Sequence, residues 1–138
     1  MERDAGRQKA TLNAMSEIVW RFPAPSSGFG GVTVHFHPRR EITLTFEFED
    51  VNGTMRSGEL SFKDVVHYRT TYLYALRPEM IEQAYDCVVD VGKSSDLNDM
   101  IAAMQAGGRP ADIRHYQVCF DDGPFFEFFA ASFEACIS

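Results

Sequence analysis

The chain is short of basic residues and has no long apolar run. Lysine and arginine number 13 against 20 aspartates and glutamates, which gives a formal net charge of −7. A surface of that sign repels phosphate backbones and no basic stripe offsets it, so we expect no nucleic-acid binding. No stretch approaches the ~20 apolar residues of a membrane helix, and the N-terminus has no apolar run of the kind found in signal sequences. The expected location is therefore the cytoplasm, without membrane association.

Cysteine is scarce as well. The three cysteines, Cys87, Cys119 and Cys136, are odd in number and widely spaced, and they form no Cys-x-x-Cys unit. The spacing therefore predicts no disulfide framework. Cys87 and Cys119 lie in apolar segments, where a reduced cysteine behaves as a small hydrophobic side chain.

Apolar and aromatic residues are present in the amounts that a folded domain needs. The 138 residues are 45% hydrophobic, and 12 of them are phenylalanine, which favours strands. Residues 1–14 are polar and are interpreted as a flexible extension, with a short docking helix as the alternative. Residues 15–138 are predicted to form a single β-rich domain.

Two-residue periodicity dominates from Ile18 onward and predicts strands. The clearest case is 42–49, where Ile42, Leu44, Phe46 and Phe48 alternate with Thr and Glu, as in a sheet with one buried and one wet face. Asn52-Gly53 predicts a hairpin, and a phase change between Met55 and Leu60 predicts a bulge near Ser57-Gly58. Further strands are predicted at 18–22, 32–37, 66–76, 85–91, 113–120 and 125–133.

One helix is predicted at about 95–106. Ser95 is the expected N-cap, and Leu97, Ile101 and Met104 recur at helical spacing. The predicted fold class is α+β, mainly antiparallel β, with about eight short strands arranged as a curved sheet or sandwich and this one helix on a side.

The most specific cluster of candidate ligands is His35-x-His37-x-x-x-Glu41. Two imidazoles at i and i+2 on a strand share a face, and a carboxylate across the turn would complete a three-ligand metal site, with His115 as a fourth ligand. This spacing resembles the first motif of cupins, small β-barrels that often bind a divalent metal. The resemblance implies a metal-binding enzyme. The alternation places Val32, Val34 and Phe36 on the buried face, so we expect His35 and His37 on the wet face without metal.

Carboxylates near the last predicted hairpin are a second candidate group. Asp121, Asp122 and Glu127 lie near one end of it, and paired carboxylates can act as general acid and base. Asp-Asp-Gly is also a favourable turn sequence, and the turn interpretation is preferred.

The C-terminal third carries a second resemblance. The run from Arg114 to Gly123, followed by Glu127-Phe128 and Ser132-Phe133-Glu134, resembles the ends of small uncharacterised bacterial β-rich proteins, some of them similar to immunity proteins. Those proteins bind and neutralise a partner toxin, so the resemblance implies a binding role and no catalytic residue.

The sequence thus favours a non-enzymatic, acidic binding protein with a basic protein partner and no cofactor. The alternatives are a cupin-like metal enzyme at His35, His37, Glu41 and His115, and a small-ligand carrier with an aromatic-lined cavity among Phe46, Tyr72 and Phe128. No pattern indicates an oligomeric state.

Overall fold

The computed structural model describes residues 16–108, 112–121 and 123–138. The extension predicted for 1–14 lies outside these ranges. The described residues form nine strands and two α-helices, named here in chain order. The strands are β1 (Glu17–Arg21), β2 (Val32–His37), β3 (Glu41–Glu49), β4 (Met55–Lys63), β5 (His67–Thr71), β6 (Cys87–Asp90), β7 (Arg114–Cys119), β8 (Phe125–Ala130) and β9 (Ser132–Ile137), and the helices are α1 (Pro78–Ala84) and α2 (Ser95–Ala106).

The strands form two sheets in which every pair of neighbouring strands is antiparallel. The five-stranded sheet has the order β1-β6-β7-β8-β5, and the four-stranded sheet has the order β2-β3-β4-β9. Strands β8 and β9 follow one another in the chain but belong to different sheets. The last strands therefore link the two layers.

The sequence alternation sets which face of the four-stranded sheet is buried. Ile42, Leu44, Phe46 and Phe48 of β3 are all buried and face the five-stranded sheet, where they meet side chains of β7 and β8. The rings of Phe62 and Phe128, from opposite sheets, stack with their centroids 4.1 Å apart. This apolar layer between the sheets is the main core.

The pairing of β3 with β4 has no bulge, so the bulge predicted near Ser57-Gly58 is wrong. The register runs without a shift from Ile42 opposite Phe62 to Glu49 opposite Met55. Gly58 faces inward, and a Cβ atom at this position would overlap the ring of Phe46. Met55 faces outward and is exposed, so no phase change is needed to bury it.

Both helices cover the outer face of the five-stranded sheet. Helix α1 packs Met80 and Ile81 against Cys87 and Phe125, while α2 packs Leu97 near Phe129. All six residues of β8 are buried because side chains of alternate residues meet the helices and the other sheet. The outer face of the four-stranded sheet carries no helix in the described part of the chain.

The structure confirms a mainly antiparallel α+β fold and the helix at 95–106, but the N-cap predicted at Ser95 is wrong, because Ser94 accepts the backbone N–H of Leu97 and Ser95 is the first helical residue. Three assignments of helices and strands are corrected as well. Helix α1 was missed, because Pro78 was interpreted as a strand end whereas it occupies the first helical turn. The strand predicted at 66–76 ends at Thr71 and is followed by a 3-10 turn. The return strand predicted at 125–133 is two strands, which accounts for nine rather than eight. No helix in the described ranges is long and apolar enough to cross a membrane.

Candidate functional site

The two histidines of the predicted cluster lie on the outer face of the four-stranded sheet, as the alternation predicted. His35 and His37 are exposed, and their Nε2 atoms lie 3.1 and 3.0 Å from the hydroxyl oxygens of Thr45 and Thr43. Each pair joins neighbouring strands β2 and β3. The imidazoles therefore share their sheet face with threonine hydroxyls.

Glu41 lines the same groove as the two histidines, whereas His115 does not. His115 lies on β7 in the other sheet, on the face that the helices cover. No group of three or more His, Cys, Asp or Glu side chains among the residues described is placed to hold a metal ion. The structure thus brings together three of the four proposed ligands in one groove and separates the fourth.

A continuous depression runs across this sheet face. One groove of about 380 Å³ is lined by His35, His37, Glu41, Thr43, Thr45, Glu59 and Ser61. A second of about 540 Å³ is lined by Gly30, Gly31, Val32, Thr33, Thr45, Phe46, Glu47, Ser57, Gly58 and Glu59. The grooves share Thr45 and Glu59, and we call their combined surface the acidic trough.

The trough contains three carboxylates, Glu41, Glu47 and Glu59, and no lysine or arginine lines it in the part of the chain that is described. None of the three forms an ion pair with another described residue. Glu41 and Glu47 are six residues apart on β3, which corresponds to ~20 Å at strand rise. Glu59 lies across from Thr45, between them along the strand direction. Within the described ranges, the trough is therefore a line of carboxylates that form no ion pair.

The second notable cluster is a buried polar network under the helices, centred on Glu127 of β8. Its carboxylate accepts hydrogen bonds from Arg69 on β5 at 2.7 and 3.1 Å, and from Gln117 on β7 at 3.2 Å. Arg69 and Gln117 lie directly across from Glu127 on the two neighbouring strands. The Nε2 atom of His115 lies 2.8 Å from the same carboxylate. Four residues from three strands thus converge on one side of the sheet.

Both helices are attached to this network. Arg69 also donates to Asp96 in the first turn of α2 at 2.6 Å, and Gln83 of α1 donates to Gln117 at 3.2 Å. The Nδ1 atom of His115 lies 2.8 Å from the hydroxyl oxygen of Ser94, the N-cap of α2. The network therefore ties both helices to the sheet.

Opposing effects act on the pKa of Glu127. Burial raises the pKa of its carboxyl group, but hydrogen bonds from His115, Arg69 and Gln117 lower it more, to about 2. The pKa of the Arg69 guanidinium is raised by its hydrogen bond to Glu127 and, to a smaller extent, by its hydrogen bond to Asp96. Glu127 and Arg69 therefore form a charged pair at neutral pH.

Ser94, His115 and Glu127 are linked by hydrogen bonds in the way that the hydroxyl, imidazole and carboxylate of a hydrolytic triad are linked. Ser94 Oγ, however, also accepts the backbone N–H of Leu97 at 3.0 Å, as a helix cap does. His115 is 2% exposed, and the ring of Phe129 stacks on it at 4.3 Å. Through Ser94 and His115 this arrangement anchors the start of α2 to the sheet.

The carboxylates predicted near the last hairpin, and the residues predicted to line a carrier cavity, do not form common sites. Tyr85 donates a hydrogen bond to the carboxylate of Asp121 at 2.8 Å, whereas Glu127 is inside the sheet, and Asp122 lies outside the described residues. Of the three residues proposed to line a carrier cavity, Phe46 and Phe128 are packed in the core and Tyr72 is exposed.

The grouping of Arg69, Gln117 and Ser94 with Glu127 and His115 was not predicted from the sequence. Arg69 and Glu127 are 58 residues apart in the chain, and only the β5–β8 register brings them together. The available signal was the polar residue in the middle of an apolar run, Phe-Phe-Glu-Phe-Phe at 125–129, because a buried charge needs a partner.

No family model, curated protein or solved structure matches this chain.

Proposed function

We propose that this chain is a non-enzymatic binding module that holds a cationic segment of a partner protein in the acidic trough. The observation that supports this proposal is the set of three carboxylates, Glu41, Glu47 and Glu59, that line a concave sheet face and form no ion pair with another described residue. Like charges held together in a depression repel one another, and they attract a ligand of opposite sign.

The shape of the trough fits an extended segment better than a compact ligand. Its carboxylates are spread over ~20 Å of strand, and an extended peptide of six or seven residues has that length. Hydroxyl groups of Thr33, Thr45 and Ser57 line the same surface and can hydrogen-bond to a bound backbone. Neither described helix covers this sheet face, so binding requires neither of them to move.

The resemblance of the C-terminal third to immunity-like proteins adds a biological role to this proposal. Immunity proteins bind and neutralise a partner toxin. The partner in that case is a toxin with a basic surface, and the complex forms rapidly because opposite charges steer the encounter.

Charge reversal in the trough tests the proposal. The double variant Glu47→Lys, Glu59→Lys changes two exposed residues that face outward. The control, Glu79→Lys with Asp99→Lys, makes the same change in net charge at exposed positions of α1 and α2. Each protein is immobilised and exposed to lysate from the native host, and bound protein is eluted with increasing salt.

We expect the wild type and the helix control to retain the same basic protein, which elutes as salt rises because exposed charge interactions are screened. The trough variant should not retain it. Titration of the purified partner against all three proteins then gives the affinities. A partner that binds the trough variant as tightly as the wild type, or whose binding does not respond to salt, would contradict the proposal.

A further inference from the structure

An apolar hollow adjoins the acidic trough at the side of the sandwich where the edge strands β2 and β5 lie. Its volume is about 210 Å³, and we call it the aromatic hollow. It is lined by Phe36, His37, Arg40, Glu41, Ile42, Val65, Val66, His67 and Tyr68. Ile42 and Val65 are buried, so part of the lining belongs to the rigid core.

Two exposed rings form a wall of this hollow. Phe36 is 62% exposed and Tyr68 is 44% exposed, with ring centroids 5.4 Å apart and the planes tilted by 52°. The ring of Tyr68 is supported from behind by Phe128 of the core, at 6.4 Å. Phe36 is the residue that departs from the buried face predicted for β2. Exposed aromatic rings beside a pocket are typical of the central residues of protein–protein interfaces.

The hollow and the trough form one surface because both are lined by His37 and Glu41. A ligand with positive charges in the trough can therefore place a neighbouring side chain in the hollow. The surface changes from carboxylates in the trough to aromatic and aliphatic groups in the hollow.

The backbone next to the hollow is strained. Arg39 and Arg40, in the turn between β2 and β3, have φ values of 65° and 60°, a left-handed conformation that costs free energy in residues other than glycine. This conformation positions Arg40 at the rim of the hollow. A guanidinium group there can stack on a flat ring that enters the hollow.

We propose that the aromatic hollow receives an aromatic side chain of the cationic partner, which anchors the segment whose positive charges lie in the acidic trough. This inference rests on the proposed function and specifies the partner's chemistry: an aromatic residue next to a run of lysine or arginine. The trough provides charge attraction, and the hollow provides the desolvated contact that slows dissociation.

Two pairs of heptapeptides test the inference. Each peptide has six lysines and one further residue, tryptophan or alanine, and the further residue is placed at the N-terminus in one pair and at the C-terminus in the other. Calorimetric titration at low ionic strength gives the affinities for the wild-type protein. In one of the two orientations we expect the tryptophan peptide to bind about fivefold more tightly than its alanine counterpart, because a buried ring removes apolar surface from water.

The variants Phe36→Ala and Tyr68→Ala should each abolish that preference while the alanine peptide binds as before. Tyr74→Ala is the matched control, since Tyr74 is a fully exposed aromatic residue outside the hollow and the preference should persist. Circular dichroism on each variant checks that it is folded, and either hollow variant alone suffices for the test.

The outcomes separate the two proposals. Equal affinities for tryptophan and alanine peptides in both orientations would overturn the anchor in the hollow and leave the trough standing. A preference that survives in a folded Phe36→Ala or Tyr68→Ala variant would overturn it as well. If no peptide binds at any ionic strength, the acidic trough itself is refuted, and the inference that rests on it falls with it.

Discussion

Glu127 lies in the middle of β8, where burial alone would raise the pKa of its carboxyl group. Its charge is kept because Arg69, Gln117 and His115 all direct hydrogen-bonding groups at it. Removing one member of such a network lowers the stability of the fold, because it leaves the hydrogen-bonding groups of the other members unsatisfied. The residue therefore contributes to stability through its charge.

Replacement of Glu127 by glutamine tests that statement. Glu127→Gln keeps the shape but removes the buried charge that accepts hydrogen bonds from Arg69, Gln117 and His115, and Arg69 keeps its exposed pair with Asp96. We therefore expect the free energy of unfolding at pH 7 to fall by at most about 3 kcal/mol. The control Glu134→Gln breaks only an exposed pair with Lys63 and should cost less than about 1 kcal/mol. Urea unfolding of the three proteins measures the differences, and an equal loss in both variants would contradict the assignment.

The same experiment has a defined pH dependence. The pKa of Glu127 is lowered on folding from 4.5 to about 2, so its contribution is complete above pH 4.5 and is lost as pH falls toward 2. A shift of this size corresponds to about 3 kcal/mol. The stability difference between the wild type and Glu127→Gln should therefore shrink progressively below pH 4.5. A difference that stays constant down to pH 2.5 would show that the charge is not its source.

At the scale of elements, the sequence predicted best those segments that have one dry and one wet face. Strand β3 and helix α2 each have one apolar and one polar face, and the predicted ends of both agree with the structure to within one residue. Strand β8 has no such alternation because sheet and helices cover both of its faces, so its division from β9 was not visible. The carboxylates of the trough were visible as the wet face of β3, but their arrangement in a depression depends on strand pairing.

The start of α2 shows the limit of local sequence signals. Ser94 and Ser95 are adjacent and both suit an N-cap, but only Ser94 has its oxygen on the N–H of Leu97 and beside His115. Ser94→Ala should lower the free energy of unfolding by about 1–2 kcal/mol, and Ser95→Ala, at an exposed position, by less than about 0.5 kcal/mol. Thermal and urea unfolding of both variants measure this, and a larger loss in Ser95→Ala would contradict the capping assignment.

At the scale of the whole molecule, the two sheets are covered unequally. The five-stranded sheet lies between the helices and the main core, and its buried carboxylates Glu127 and Asp90 are paired with Arg69 and Arg114. No described helix covers the outer face of the four-stranded sheet, which carries trough carboxylates without an ion-pair partner in the described ranges and exposed rings beside them. The binding surface that we propose therefore lies on the face that the two described helices leave uncovered.

The most direct test of this account is an amide chemical-shift titration of the isotope-labelled protein with hexalysine at low ionic strength. We predict that the largest shifts occur at the trough residues of β3 and β4, such as Thr45, Glu47 and Glu59, and that added salt reverses them. Residues of α1 and α2 should be unaffected. Shifts that are largest on the helices, or spread evenly over all acidic residues, would contradict the assignment of the trough as the binding site.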